Sequence, residues 1–243
     1  LLFSRVQWQD LIVALIIVSG VALSIVFRKL TIQAACVGGL LAACLYIAFG
    51  PVSITTLAVF FVSATVATRA GMTVKVQMGF AEKNRGRRTT GQVLANGGAA
   101  GILGVMAILL PAHTDTLRVM AAAAFASATS DTLSSELGNV YGTRFYNIVT
   151  FKKGERGADG VISAEGCLWG IAGSAIISGV HGLAFGFQPD VVVIFVAGII
   201  GNVADSLLGA LFETRNRLTN NEVNALNTIV AALVAMFGVW LTS

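Results

Sequence analysis

Residues 30–68 read LTIQAACVGGLLAACLYIAFGPVSITTLAVFFVSATVAT. The run holds no charged residue and breaks only at Gly50-Pro51. Each half is long enough for an α-helix to cross the roughly 30 Å hydrocarbon core of a bilayer. The stretch therefore predicts two membrane-spanning helices that share Gly50-Pro51 as a hinge and form a tight hairpin.

The pattern repeats along the chain. Of 243 residues, 56% are hydrophobic and 12% are charged, with a mean hydropathy of +0.81; a soluble domain is nearer about a quarter charged. The apolar runs predict eight spans, at 8–27, 30–50, 52–68, 91–110, 117–137, 163–186, 190–212 and 221–241. The fold class is all-α: a polytopic membrane protein of about eight transmembrane helices forming a single integral-membrane domain over 1–243. Within it, 1–68 reads as scaffold helices with an apolar lateral groove, 69–220 as the loops and helices that carry chemistry, and 221–243 as the last helix. Segment 11–27 has the length of a signal peptide, but Arg28 and Lys29 follow it with no small-residue cleavage site, so it is read as a span. Cys36, Cys44 and Cys167 lie in apolar runs without a Cys-x-x-Cys spacing and read as packing residues.

With eight spans, all but two of the sixteen Lys and Arg residues fall on one side; Arg5 and Arg118 are the exceptions. The positive-inside rule makes that side cytoplasmic, or stromal in a plastid, and puts both termini opposite. The expected location is a bacterial inner membrane or a plastid membrane. The net charge of +4 is thus a topology signal and gives no support to a nucleic-acid partner.

Three stretches on the basic side carry polar groups that topology alone does not require. EKNRGRRTTGQVLANGGAAG (82–101) puts Lys83, Arg85, Arg87 and Arg88 ahead of a helix start, where unpaired N–H groups and cations together suit a phosphate. Thr89 or Thr90 can cap that helix. Gln92 and Asn96 lie a turn apart on it, while Gly97 and Gly101 have the spacing of a helix-packing motif. The second stretch, AFASATSDTLSSELGN, sets Ser127, Asp131, Ser134 and Ser135 on one helical stripe. Glu136 lies off that stripe unless the helix breaks near Gly138. In the third, GNVADSLLGALFE, Asn202, Asp205, Gly209 and Glu213 share a face. Ser163 is a candidate cap for the sixth span, with Glu165 in its first turn. His113 reads as an exposed turn residue and His181 as a helix contact.

A weak parallel internal repeat links these stretches. Asp131-Thr-Leu and Asp205-Ser-Leu are 74 positions apart (205 − 131), and the same offset pairs Gly86 with Gly160 and Thr89 with Ser163. Each unit is a loop, an entering span and a returning span that carries an aspartate.

Carboxylates within a span are costly and point to function. Oxygen ligands of this kind suit Mg²⁺, which takes one or two carboxylates and completes its shell with phosphate and water. Arginines bind phosphate and neutralise the charge that spreads in phosphoryl transfer. The residues themselves thus point to a Mg²⁺-dependent membrane enzyme acting on a phosphate, with a lipid as second substrate. A transporter or flippase for an anionic lipid or metabolite is the rival from another class, and a membrane cytidylyltransferase is the nearer one.

EKNRGRRTTGQVLANGG, SDTLSSELG, DGVISAEG and GNVADSLLGALFE resemble the integral-membrane phytyl-phosphate kinase family of tocopherol and phylloquinone salvage. That family includes bacterial, archaeal and animal transmembrane relatives, and the resemblance covers roughly residues 70–240. It implies an isoprenyl-phosphate kinase, which moves a phosphoryl group from a nucleoside triphosphate to phytyl or isoprenyl monophosphate and yields the prenyl diphosphate. CTP is one candidate donor, by the family's distant kinship with CTP-using polyprenol kinases. Carried over by motif, Lys83, Asn84, Arg85, Arg87, Arg88, Gln92 and Asn96 would hold phosphates. Asp131, Glu136 and Asp205 would hold Mg²⁺, with Asn202 and Glu165 in support, and Asp131, Asp205, Arg87 and Arg88 would be the catalytic set.

Overall fold

The computed structural model describes residues 8–77 and 87–242. Helices α1 (Trp8–Val26), α2 (Ile32–Phe49), α3 (Pro51–Arg69), the short α4 (Met72–Gln77) and α5 (Thr90–Leu109) come first. They are followed by α6 (Thr114–Tyr141), α7 (Ala164–Phe185), α8 (Pro189–Leu208) and α9 (Asn220–Thr242). A π-helical turn, Gly209–Glu213, continues α8. Two short strands, β1 (Phe145–Asn147) and β2 (Val161–Ser163), pair antiparallel with Tyr146 opposite Ile162.

Local chemistry sets the boundaries. Gly50 adopts φ 77°, which ends α2, and Pro51 then opens α3 at a position where a missing N–H costs nothing. Thr89 caps α5 in a full capping box with Gln92, and Ser163 caps α7 by accepting from Gly166 N at 3.1 Å. These two caps are the residues that the 74-position offset pairs.

Seven helices are long and apolar enough to cross a membrane by themselves: α1, α2, α3, α5, α7, α8 with its π turn, and α9. The eighth long helix, α6, is rich in Ala, Ser and Thr, and is buried without interruption from Val119 to Ser130. It can be that polar because it never meets lipid there: α3, α5, α7, α8 and α9 all pack on it. About eight transmembrane helices is therefore the architecture, with α6 as the central post.

Small residues bring the neighbours onto α6. A side chain at Gly173 of α7 would lie 2.9 Å from Ser130 Cα, and one at Gly198 of α8 would lie 2.7 Å from Ala126 Cβ. Gly201 of α8 sits directly against Ser127. Close backbone approach through Gly, Ala and Ser is the usual way membrane helices gain packing energy. Gly97 and Gly101 of α5 serve the same end, both receiving Leu41 of α2.

Two details go beyond the sequence reading. Helix α6 runs through Gly138 to Tyr141, so no break there brings Glu136 round to the stripe of Asp131. Gly138 instead lets α7 approach, since a Cβ there would lie 2.9 Å from Gly166 Cα. The loop expected over 138–162 contains the β-hairpin, whose three-residue strands are too short to write an alternating pattern into the sequence.

Candidate active site at the basic end of the bundle

The packing register determines where the aspartates meet. Gly201 of α8 abuts Ser127 of α6; one helical turn further along each helix lie Asp205 and Asp131. Their carboxyl groups are in hydrogen-bonding contact. Like charges this close repel unless a proton or a cation lies between them. From α9, Asn227 donates to Asp205 Oδ2 at 2.6 Å and accepts from Ser127 Oγ at 2.9 Å. Asn224, with its amide in the orientation its neighbours demand, donates to the same Asp205 oxygen at 3.2 Å.

Asp131 and Asp205 line a polar cavity of about 210 Å³ together with Ser134, Asn202, Glu213 and Asp159. The π turn carries Glu213, and the loop that leads into β2 carries Asp159. Burial raises the Asp159 carboxyl above the usual carboxylate range. The hairpin that delivers this loop is stapled down: Arg156 donates to Asn139 O at 3.3 Å and Gly142 O at 2.8 Å, and its guanidinium lies 4.8 Å from the Phe145 ring centroid. Carbonyls at the end of α6 are natural acceptors for a cation. Gly160, at φ 71°, lies against the backbone of Ala210, so the loop and the π turn close the cavity together.

This donor set fits Mg²⁺. Its oxygens are hard, two carboxylates converge, and amide and hydroxyl groups surround them. Among the described residues no three His, Cys, Asp or Glu side chains form a ready metal cage.

The two described cations of the basic stretch, Arg87 and Arg88, face elsewhere. Arg88 N donates to Lys29 O at 2.9 Å, and Thr31 N donates to Arg88 O at 3.1 Å, so the start of α5 is laced to the α1–α2 turn. Arg87 Nε donates to Leu30 O at 2.9 Å. Lys29, Arg69 and Arg88 thereby converge around a cavity of about 350 Å³. Partial burial, and then the neighbouring Arg69 and Arg88 guanidiniums, hold the Lys29 ammonium below the usual lysine value. The same three cations close one end of an apolar groove of about 480 Å³ between α1, α2, α3 and α5. The groove and the carboxylate cavity share no described lining residue; Gly91, next to Gln92 of the groove, lies against Asn221, next to Asn220 of the cavity.

The sequence profile of the integral membrane protein family DUF92 matches residues 14–232. The chain belongs to the DUF92 family. It is 33% identical to the chloroplast protein VTE6 of Arabidopsis thaliana over 197 residues, which is 78% of this chain and 59% of that protein. It is 35% identical to an uncharacterized membrane protein of Methanocaldococcus jannaschii over 177 residues, 73% of this chain and 72% of the relative. A further uncharacterized membrane protein, from Synechocystis, is 31% identical over 189 residues, 75% of this chain and 72% of the relative. No solved structure matches. The family resemblance that the four motifs carry is thus borne out.

In this DUF92 chain, Asp131, Asp205 and Asn202 are brought to one cavity, as their helical stripes require. Glu136 is not among the residues lining it. Glu165 does not line it either, and accepts from Thr143 Oγ1 at 2.7 Å. Gln92 spends its side-chain oxygen on Thr89 N at 2.8 Å, closing the capping box. Asn96 donates to Gln92 O at 2.9 Å and lines the apolar groove, where its Oδ1 is buried without a hydrogen-bond donor. Lys83, Asn84 and Arg85 lie outside the described residues.

Sequence reasoning missed Asn224 and Asn227. Their signal is legible in NNEVNALNT, where Asn220, Asn224 and Asn227 recur at helical spacing on a helix read only as the last span. Asp159 was visible in GADGVIS, but nothing local to it says that the loop folds back onto α8.

Proposed function

We propose that this DUF92 protein is a Mg²⁺-dependent membrane phosphotransferase that moves the terminal phosphoryl group of a nucleoside triphosphate onto an isoprenyl monophosphate. The observation that carries the reading is the contact between Asp131 and Asp205 inside a polar cavity at the basic end of the bundle. Kinship with VTE6 and the resemblance to phytyl-phosphate kinases supply the substrate class.

In the transfer, an acceptor phosphate oxygen forms a bond to the terminal phosphorus, the bridging P–O bond breaks, and the nucleoside diphosphate leaves with that electron pair. An acceptor that is already an anion needs no general base; positioning and charge neutralisation supply the catalysis. Bound Mg²⁺ would neutralise the triphosphate and polarise its terminal phosphorus. Asp131 and Asp205 would hold it. Asn224 and Asn227 keep the Asp205 carboxylate aimed, and Asn202 and Ser134 offer hydrogen bonds to phosphate oxygens. The hairpin covers the site and limits water, which would otherwise compete as acceptor. We place this end in the cytoplasm or stroma, where nucleotides are, in agreement with the cation bias.

The test uses purified protein in detergent with Mg²⁺, phytyl or geranylgeranyl monophosphate, and each of the four nucleoside triphosphates, CTP first. Mass spectrometry is expected to show prenyl diphosphate with the matching nucleoside diphosphate. A nucleotidyl-lipid with pyrophosphate would make the protein a cytidylyltransferase. No product from folded protein would leave transport of an anionic lipid as the better reading.

A further inference from the structure

Two features of the groove between α1, α2, α3 and α5 bear on what fills it. The first is its glycines. Gly97 and Gly101 of α5 are filled by Leu41, as packing glycines should be. Gly20 of α1 and Gly38 of α2 line the groove, yet a Cβ at either would meet nothing within 4 Å. Glycine in a helix interior costs about 0.5–1 kcal/mol relative to alanine, and here no close contact with protein offsets that cost. What these glycines keep is open volume.

The second property is the end of the groove. Lys29, Arg69 and Arg88 gather there, and Arg88 lies 5.8 Å from the centroid of the Phe60 ring on α3. An apolar channel of about 480 Å³ is in the ordinary range of ligand sites, about 300–1,000 Å³. A hydrophobic channel ending in several cations matches a molecule with a long hydrocarbon tail and a terminal phosphate.

We propose that this groove is the acceptor site: the isoprenoid tail lies along Gly20 and Gly38, the phosphate is held by Lys29, Arg69 and Arg88, and the two glycines set the tail length accepted. The proposal builds on the phosphotransferase reading and adds the place where the acceptor binds. It separates the acceptor's residues from those of the carboxylate cavity and gives the scaffold helices a substrate.

A Cβ at Gly20 or Gly38 meets nothing within 4 Å, so Gly38→Phe and Gly20→Phe are expected to fold, which a thermal melt in detergent checks. Each displaces a few methylenes of a long tail, which raises the KM for geranylgeranyl monophosphate roughly tenfold. The KM for geranyl monophosphate stays near the wild-type value. Arg69→Ala raises KM for both acceptors, and Arg69→Lys restores part of the loss.

Binding is read without turnover by photolabelling the full chain in nanodiscs with geranylgeranyl monophosphate that carries a terminal diazirine. Label on α1 and α2, competed by unlabelled geranylgeranyl monophosphate and not by phosphatidylglycerol, is the expected result. Equal competition by phosphatidylglycerol would make the groove a bilayer-lipid site and overturn the proposal. Label on other helices with turnover intact would overturn the acceptor site and leave the phosphotransferase standing. The expected label with no turnover on any donor would keep the lipid-phosphate site and remove the phosphotransferase.

Discussion

Asp205 takes a 2.6 Å hydrogen bond from Asn227 and touches Asp131, so the position of its carboxyl is set from two helices at once. Replacing either aspartate by asparagine keeps the shape and removes one charge. On the phosphotransferase reading, Asp131→Asn and Asp205→Asn are expected to lower turnover about a hundredfold, on the scale of electrostatic stabilisation lost in known active sites. Millimolar Mg²⁺ with nucleotide should raise the thermal midpoint of the wild type and leave both variants unmoved. Equal shifts in all three would remove these aspartates from the proposed metal site. Asn227→Leu acts differently. It strips Asp205 of a donor and Ser127 of an acceptor, and is expected to cost about 1–3 kcal/mol of stability and about 10- to 100-fold in metal affinity or activity. Ser127→Ala, measured alongside, should lose stability while keeping most of the activity. Asn227 was not legible as a site residue, because an asparagine in a span announces only that it needs a partner. Which partner it has is a tertiary fact.

At the scale of elements, the hairpin β1–β2 and the π turn after α8 form one lid. Gly160 has φ 71° and lies against Ala210, so no other residue fits there without moving the hairpin. Gly160→Ala should strain the loop by about 1–2 kcal/mol or more, lift Asp159 off the cavity and cut turnover, while the helical bundle keeps its cooperative melt. Limited proteolysis between residues 142 and 160 is the check; an unchanged cleavage rate would show that the lid is held elsewhere. π turns inside α-helices gather at functional sites, and this one carries Glu213 to the cavity. The caps, by contrast, were legible. Thr89 and Ser163 are short-range devices, each closed within three residues, and local chemistry writes them into local sequence.

On the scale of the whole molecule, the residues that the 74-position offset pairs hold equivalent places in the element order. Thr89 opens α5 and Ser163 opens α7; α6 returns with Asp131 and α8 with Asp205, and the two aspartates meet. Duplicated units related about an axis place equivalent residues at their interface. The β-hairpin then lies on the side toward which all but two Lys and Arg residues fall. Phe151, 81% exposed near the hairpin turn, offers a topology probe: Phe151→Cys should react with an impermeant maleimide in inside-out vesicles and not in right-side-out ones. The opposite pattern would invert the orientation drawn from the positive-inside rule.

The sequence by itself determined the membrane class, the helix boundaries to within a few residues, the caps and the polar stripes of α6 and α8. All of these depend on hydrophobic length, helical periodicity or hydrogen bonds a few residues long. Tertiary structure alone decided that α6 is the buried post and that Asn224 and Asn227 of α9 hold Asp205. It also decided that Asp159 arrives on a hairpin, and that the described cations of the basic stretch face a groove instead of the carboxylates. Each of those depends on which glycine meets which backbone across the bundle, and that register is summed over many weak contacts between distant segments.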